Sequence, residues 1–353
     1  MTGTATVVQA WEDCCRALGV TIVPAAPLLN PDSSVLLVNA GITPFKPAML
    51  RGADLAPTAV VQPCLRTFWN ASGRFAFDML TMVGMAREAG RAARLAAGLA
   101  ERLGFERLRL RCVVDGRDDD IAEHARIMCG ADAIELQEGN NDLYWTRWRF
   151  GEKDVLLGRG LTLVHVGDDG RRLSLGNLIL VDHSPSGRIY VDLGFGVERL
   201  ASVAHAGDDW APTPAAPAIA RLVGAGMARG HACALANGAV AAARLIDAGA
   251  FPSARGAGYL LRKLVRVMVD AAVSTSAAGT SPEQAVERLL LDLGVLLDDH
   301  RPACTVIATE AVNYVAQVAR SRRALLKRSQ RTGVSPASLD PAGTYGLPPW
   351  ASV

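Results

Sequence analysis

The side chains best able to do chemistry lie in one stretch, Val191-Asp192-Leu193-Gly194-Phe195-Gly196-Val197-Glu198-Arg199-Leu200. Ile189, Val191 and Leu193 alternate with Tyr190 and Asp192, the period-2 pattern of a half-buried strand. Gly194 and Gly196 then remove the side chains at the corner, where a ligand can come close to the backbone. Val197, Leu200, Ala201 and Ala204 follow at helical spacing, with Arg199 in the first turn. A carboxylate at Asp192 suits a cation and a guanidinium at Arg199 suits a phosphate, and the two would flank one cleft. A buried strand turning into a helix with a surface ion pair gives the same spacing. Spacing alone leaves both readings open.

The elements that must position this stretch lie on both sides of it. Before it, the pattern predicts a helix over Val7 to Leu18 and a strand at Ser33 to Val38. A hairpin follows, Ala59 to Arg66 returning as Phe75 to Leu80. A long helix over Ala86 to Leu103 is capped by Gly104, followed by a strand at Leu108 to Val114 and a helix at Asp118 to Cys129. Strands are also expected at Ile134 to Leu136 and Tyr144 to Trp148. Two more, Leu161 to Val166 and Asn177 to Val181, flank the Asp168-Asp169-Gly170 turn. Strands gathered in hairpins predict an α+β fold with a mostly antiparallel sheet. Neither G-x-G-x-x-G nor G-x-x-x-x-G-K-(S/T) occurs where a nucleotide fingerprint would need it.

The run 207–217, rich in proline and alanine, reads as a linker between a first domain, 1–206, and a second, 218–353. Helices are expected there at Ile219 to Met227, His231 to Ala248, Gly258 to Ala272, Pro282 to Leu293 and Thr305 to Ser329. Two of them carry basic runs: Arg262, Lys263 and Arg266, and Arg320, Arg322, Arg323, Lys327, Arg328 and Arg331.

Composition narrows the class. Half of the 353 residues are hydrophobic and the net charge is +2, which excludes a strongly basic nucleic-acid scaffold and leaves room for a local basic face. The seven cysteines are scattered without C-x-x-C spacing, so they read as reduced core thiols. No secretory leader and no apolar run of membrane-spanning length is visible, so a soluble cytoplasmic protein without a membrane partner is expected.

Further motifs carry a resemblance. Val38-Asn39-Ala40-Gly41-Ile42-Thr43-Pro44-Phe45-Lys46-Pro47 is similar to an N-A-G-x-x-x-F-K segment, and Gln62-Pro63-Cys64-Leu65-Arg66 to Q-x-C-(V/L)-R. Phe77-Asp78-Met79-Leu80 resembles F-E-M-L, and the stretch from Asp192 to Leu200 resembles D-T-G-x-G-x-E-R. Gly258-Tyr259-Leu260-Leu261-Arg262-Lys263 resembles G-Y-(V/L)-L-R-R, and Thr344-Tyr345-Gly346-Leu347-Pro348 resembles T-Y-G-F-P. In this order, over nearly the whole chain, these motifs resemble the catalytic and helical tRNA-recognition domains of alanyl-tRNA synthetase, a class II synthetase, without its editing and C-terminal domains.

The resemblance implies a class II-type antiparallel sheet flanked by helices, followed by an all-helical domain, and it implies roles. Arg66 would hold the α-phosphate of ATP, whose charge grows as a carboxylate attacks it, and Arg199 the γ-phosphate. Both would be catalytic. Phe77 would stack on adenine, with Asp78 and Gly196 completing the nucleotide site. Trp145 would wall a small amino-acid pocket. Asn177, Asp192 and Gly194 would bind the amino acid, with Asp192 on its α-ammonium. Core packing is the alternative for Phe77 and Trp145.

Departures from the family shape the functional expectation. The loop from Thr67 to Phe75 is short. Ala254 and Gly343 stand where the family reads the acceptor stem with an asparagine and an aspartate, and direct base readout needs such groups. The carboxylates expected to hold Mg²⁺ are replaced around Gly158 to Thr162 and Ser174 to Asn177, leaving Asp168 or Asp182 as substitutes. The resemblance implies ATP and Mg²⁺ as cofactors, and the lost carboxylates leave Mg²⁺ without its family ligands, so no metal site is assigned. The expected partners are alanine or another small amino acid, an adenosine nucleotide or nucleoside, tRNA without the usual acceptor-stem readout, and a second copy in a homodimer. The expected activity is aminoacyl transfer to an acceptor other than tRNA-Ala, such as an adenosine-like nucleoside in antibiotic biosynthesis, through an aminoacyl-adenylate or from aminoacyl-tRNA. A non-catalytic paralogue and a truncated alanine–tRNA ligase are the alternatives.

Overall fold

The computed structural model describes residues 3–29, 35–66, 74–141, 144–150, 155–208, 210–277, 279–297 and 300–351. The chain divides into two compact units, Met1–Ala216 and Pro217–Val353.

The first unit is built on one nine-stranded sheet. Its strands are β1 (Thr21–Ile22), β2 (Thr58–Leu65), β3 (Ala76–Met85), β4 (Leu110–Val114), β5 (Ile134–Leu136), β6 (Arg147–Arg149), β7 (Leu156–Val166), β8 (Arg172–His183) and β9 (Arg188–Gly196). They run in the order β1-β2-β3-β9-β8-β7-β4-β5, with β6 added beside β7. Only β1–β2 and β4–β5 are parallel pairs, so the sheet is mixed but mostly antiparallel, as the hairpin pattern predicted. The predicted strand at Ser33 to Val38 is not found: 35–38 contribute only the isolated bridge of Leu37 to Leu29, and 33–34 lie outside the described residues. Most of the short loop after Arg66, 67–73, also lies outside them.

Strand alternation decides what each sheet face does. On β9, Val191, Leu193 and Phe195 point into a core shared with α1 (Thr4–Ala17) and α3 (Ala89–Arg102). Both helices present stripes suited to that face: Val7, Trp11, Cys14 and Cys15 on α1, and Ala92, Ala96, Leu99 and Ala100 on α3. The alternate β9 residues, Tyr190, Asp192 and Gly194, lie on the opposite face. There Tyr190 joins a smaller cluster with Ile42, Met49, Val83 and Ile179. This second face is covered by a short turn and the helix α2 (Lys46–Leu50) instead of long helices; the first unit also contains α4 (Asp119–Cys129) and α5 (Val197–Ser202).

The second unit is helical. Its helices are α6 (Ala216–Gly224), α7 (Arg229–Asp247), α8 (Gly256–Thr275), α9 (Pro282–Leu296) and α10 (Arg301–Thr332), the first of which begins one residue before the division. Ser281 and Gln284 close a capping box at the start of α9. The basic triplet of α8 is not a free face. Arg262 donates to Glu310 of α10 at 2.9 Å, Arg266 donates to Gln317 at 3.3 Å and covers the Tyr314 ring, and only Lys263 is exposed. The α10 run from Arg320 to Arg331 is exposed, and no ion pair involves it among the described residues.

Candidate active site

The second face of the sheet gathers most of the predicted site residues. Residues directly opposite in an antiparallel pair share a face. Gly194 faces Thr81 of β3 on one side and Asn177 of β8 on the other, and Asp192 faces Val83 and Ile179. The same face continues through Met79, opposite Gly196 and Gln62, to Phe77, opposite Cys64.

Arg66 extends this row beyond β2. Its backbone N–H donates to Phe75 O at 2.8 Å, which holds the two strand ends together. The guanidinium lies 4.8 Å from the centre of the Phe77 ring and donates from Nε to Asn39 O at 2.9 Å. Asn39 is itself fixed by a hydrogen bond from Thr43 Oγ1 to its Oδ1 at 3.0 Å, so the N-A-G segment orients the arginine. Burial pushes the Arg66 guanidinium down from its ordinary value, and no carboxylate is among the groups that act on it. A desolvated cation without an anion gains strongly from a phosphate.

Asp192 is the mirror case. It is buried, its Oδ1 has no hydrogen-bond partner, and burial pushes its carboxyl up to about 7. This excludes the surface ion pair that its spacing from Arg199 allowed. Arg199, on the short helix α5 (Val197–Ser202), instead donates from Nη1 to Ser174 O at 3.4 Å. Asn177 donates from Nδ2 to Thr162 Oγ1 at 2.8 Å, and that hydroxyl donates to Trp145 O at 2.8 Å. Trp145 is thereby anchored by its backbone while its side chain stays half exposed, which rules out core packing for it.

The two glycines have ordinary negative φ values, so their role is spatial. A Cβ at Gly194 would meet Met79 Cε at 3.0 Å, and one at Gly196 would meet Arg199 Cβ at 3.3 Å. Asp78 is held through its backbone N–H, which donates to Glu198 Oε2 at 3.1 Å. Glu198 is buried, its carboxyl is raised by burial, and its Oε1 lies 3.9 Å from Arg74, whose guanidinium covers the Trp210 ring at 4.1 Å. Sequence reasoning overlooked Arg74, Glu198 and Thr81. Thr81, a polar residue amid Met79-Leu80-Met82-Val83, was the visible signal.

These residues fit ATP better than Mg²⁺. Asp168 and Asp182, the carboxylates offered as metal ligands, sit toward opposite ends of the β7–β8 hairpin, the first paired with Arg109 and the second 3.9 Å from Arg159. Among the described residues, no group of three or more His, Cys, Asp or Glu side chains could hold a metal ion. No helix among them is long and apolar enough to cross a membrane.

Comparison with known proteins bears on this geometry. No family model matches the chain. It is 26% identical over 364 residues to an alanine–tRNA ligase of Corynebacterium efficiens, covering 88% of this chain and 39% of that protein. It is 29% identical over 299 residues to an alanine–tRNA ligase of Frankia casuarinae, covering 70% of this chain and 33% of that one. The chain is alanyl-tRNA synthetase-like. It spans between a third and two fifths of the length of these curated relatives. Similar solved structures include pyrrolysyl-tRNA synthetase from Desulfitobacterium hafniense, at 14% identity and a TM-score of 0.36 over 59% of this chain and 71% of that one. Asparaginyl-tRNA synthetase from Pyrococcus horikoshii matches at 10% identity and a TM-score of 0.34, over 58% of this chain and 63% of that one.

Proposed function

We propose that the first unit activates a small amino acid, alanine foremost, with ATP to form an aminoacyl-adenylate, and that the acceptor is not tRNA-Ala. The observations that carry the activation are an orphaned buried carboxylate, Asp192, and a partly buried guanidinium, Arg66, that has no described carboxylate beside it. Asp192 takes the α-ammonium. The exposed ring of Trp145 and the methyl of Met79 limit the pocket to a small side chain. Arg66 binds the α-phosphate while Phe77 stacks on adenine, and Arg199 binds the γ-phosphate from α5. The amino-acid carboxylate attacks the α-phosphorus, the bond to the β-phosphate oxygen breaks, and pyrophosphate leaves. Arg66 stabilises the charge that builds on the equatorial oxygens. Any Mg²⁺ would neutralise charge on the phosphates, and the described carboxylates supply no site for it.

The acceptor proposal rests on the second unit, which resembles the family's tRNA-recognition domain. Gly343 occupies a position where a Cβ would lie 2.3 Å from Asp340 Oδ2, so a longer side chain there needs the Asp340 carboxylate to move. The Asp340 carboxylate instead accepts from Gly343 N at 3.0 Å and from Thr344 Oγ1 at 3.3 Å. An adenosine-like nucleoside, as in antibiotic biosynthesis, presents a hydroxyl or amine of the right kind to displace AMP. The similarity to alanine–tRNA ligases supports a second reading, a short alanine–tRNA ligase whose exposed α10 arginines take the tRNA backbone. Supplying purified protein with labelled alanine, ATP and Mg²⁺ together with either tRNA-Ala or adenosine separates the two. Label transferred only to tRNA-Ala contradicts the first reading.

A further inference from the structure

Two buried side-chain oxygens on the site face have no hydrogen-bond partner, Asp192 Oδ1 and Thr81 Oγ1. Thr81 is fully buried. It faces Gly194 while Val83 faces Asp192, so Thr81 and Asp192 are diagonal neighbours on β3 and β9. Such neighbours lie about 7–8 Å apart between Cα atoms, a span one small group can bridge. Because Gly194 has no side chain, the space above it is bracketed by Thr81 on one side and Asn177 on the other. Gly41 packs against the hydroxyl, where a Cβ would lie 1.6 Å from Oγ1, leaving no room for water between the two.

An orphaned hydroxyl is costly to bury, and such groups in native proteins are normally completed by water or a ligand. Resting on the reading that Asp192 binds the α-ammonium, we infer that Thr81 is a further specificity-determining residue, its Oγ1 the third acceptor of that ammonium. The ammonium carries three N–H donors. Asp192 Oδ1 takes one. Asn177, whose amide nitrogen is committed to Thr162 Oγ1 and Leu161 O, takes the second through Oδ1. Thr81 Oγ1 takes the third, so the site selects a primary ammonium over a secondary one, which has only two N–H donors.

The test measures alanine binding by calorimetry with the full chain and its Thr81→Val, Thr81→Ser, Thr81→Ala and Asp192→Asn variants, together with the melting temperature of each free protein. A hydrogen bond to a charged group corresponds to roughly ten- to hundredfold in affinity. T81V should lose that factor and T81S should stay within about threefold of the parent. The free T81V protein should melt no lower than the parent, since it loses an unsatisfied hydroxyl and keeps the shape. If T81V does not fold, T81A against T81S makes the same comparison. Alanine binding unchanged in T81V but lost in D192N overturns the role of Thr81 and leaves the amino-acid site standing. No alanine binding by the parent overturns both.

Discussion

Replacing Asp192 by asparagine tests the site through stability and activity at once. The free protein holds this carboxyl buried without a partner, raised from its ordinary 3.8 to about 7. Between those values the folded state binds a proton that the unfolded chain has released. The stability this group contributes is therefore complete below about pH 4 and is lost as pH rises through 7. At about 1.4 kcal/mol per pH unit the whole effect is about 4 kcal/mol, and the part between pH 5.5 and 7 is about 2 kcal/mol. Asparagine has no such charge, so Asp192→Asn should be about 2 kcal/mol more favoured relative to the parent at pH 8 than at pH 5.5. Urea unfolding at the two pH values reads this difference directly. The same variant should lose alanine-dependent adenylate formation by on the order of 100-fold or more, since its amide cannot balance an ammonium charge. A variant that gains nothing at pH 8, or that still activates alanine, refutes the assignment of Asp192 as an empty cation site.

Three further outcomes follow from named contacts. Arg66→Ala should lower adenylate formation by on the order of 100- to 1,000-fold while leaving alanine affinity within about threefold, read by pyrophosphate release beside calorimetry. Gly41→Ala should destabilise the protein by about 2 kcal/mol or more, because its Cβ falls 1.6 Å from Thr81 Oγ1. Adding Thr81→Gly, which removes both the hydroxyl and the Cβ that would lie 2.6 Å away, should cost less in that background than in the parent, a coupling read from a double-mutant cycle. Arg74→Leu should cost about 2–4 kcal/mol by leaving the buried Glu198 carboxylate unpaired, and Glu198→Gln in the same chain should recover part of it, measured by urea midpoint.

The legible part of the fold was the part written in local periodicity. Alternation at Ile189 to Leu193 and the apolar stripe of Val7, Trp11, Cys14 and Cys15 each fix an element by themselves, and both elements formed. Ser33 to Val38 failed because an apolar run does not supply its own partner strand, and Leu37 finds only an isolated bridge. The candidate site was legible where charge and glycine interrupt a pattern, as at Asp192 and Gly194, which share one sheet face. What the sequence could not carry was register. Only the pairing of Thr81 with Gly194 puts that threonine on the same sheet face as Asp192. Likewise, Arg262 and Arg266 look like a basic surface until Glu310 and Gln317 of another helix are placed against them.

Alanine-dependent exchange of labelled pyrophosphate into ATP reads adenylate formation at Asp192 and Arg66 without any acceptor. Purified protein with ATP, Mg²⁺ and each small amino acid in turn should show exchange with alanine above all others, lowered on the order of 100- to 1,000-fold by Arg66→Ala. No exchange with any small amino acid, from protein shown to be folded, would contradict the account.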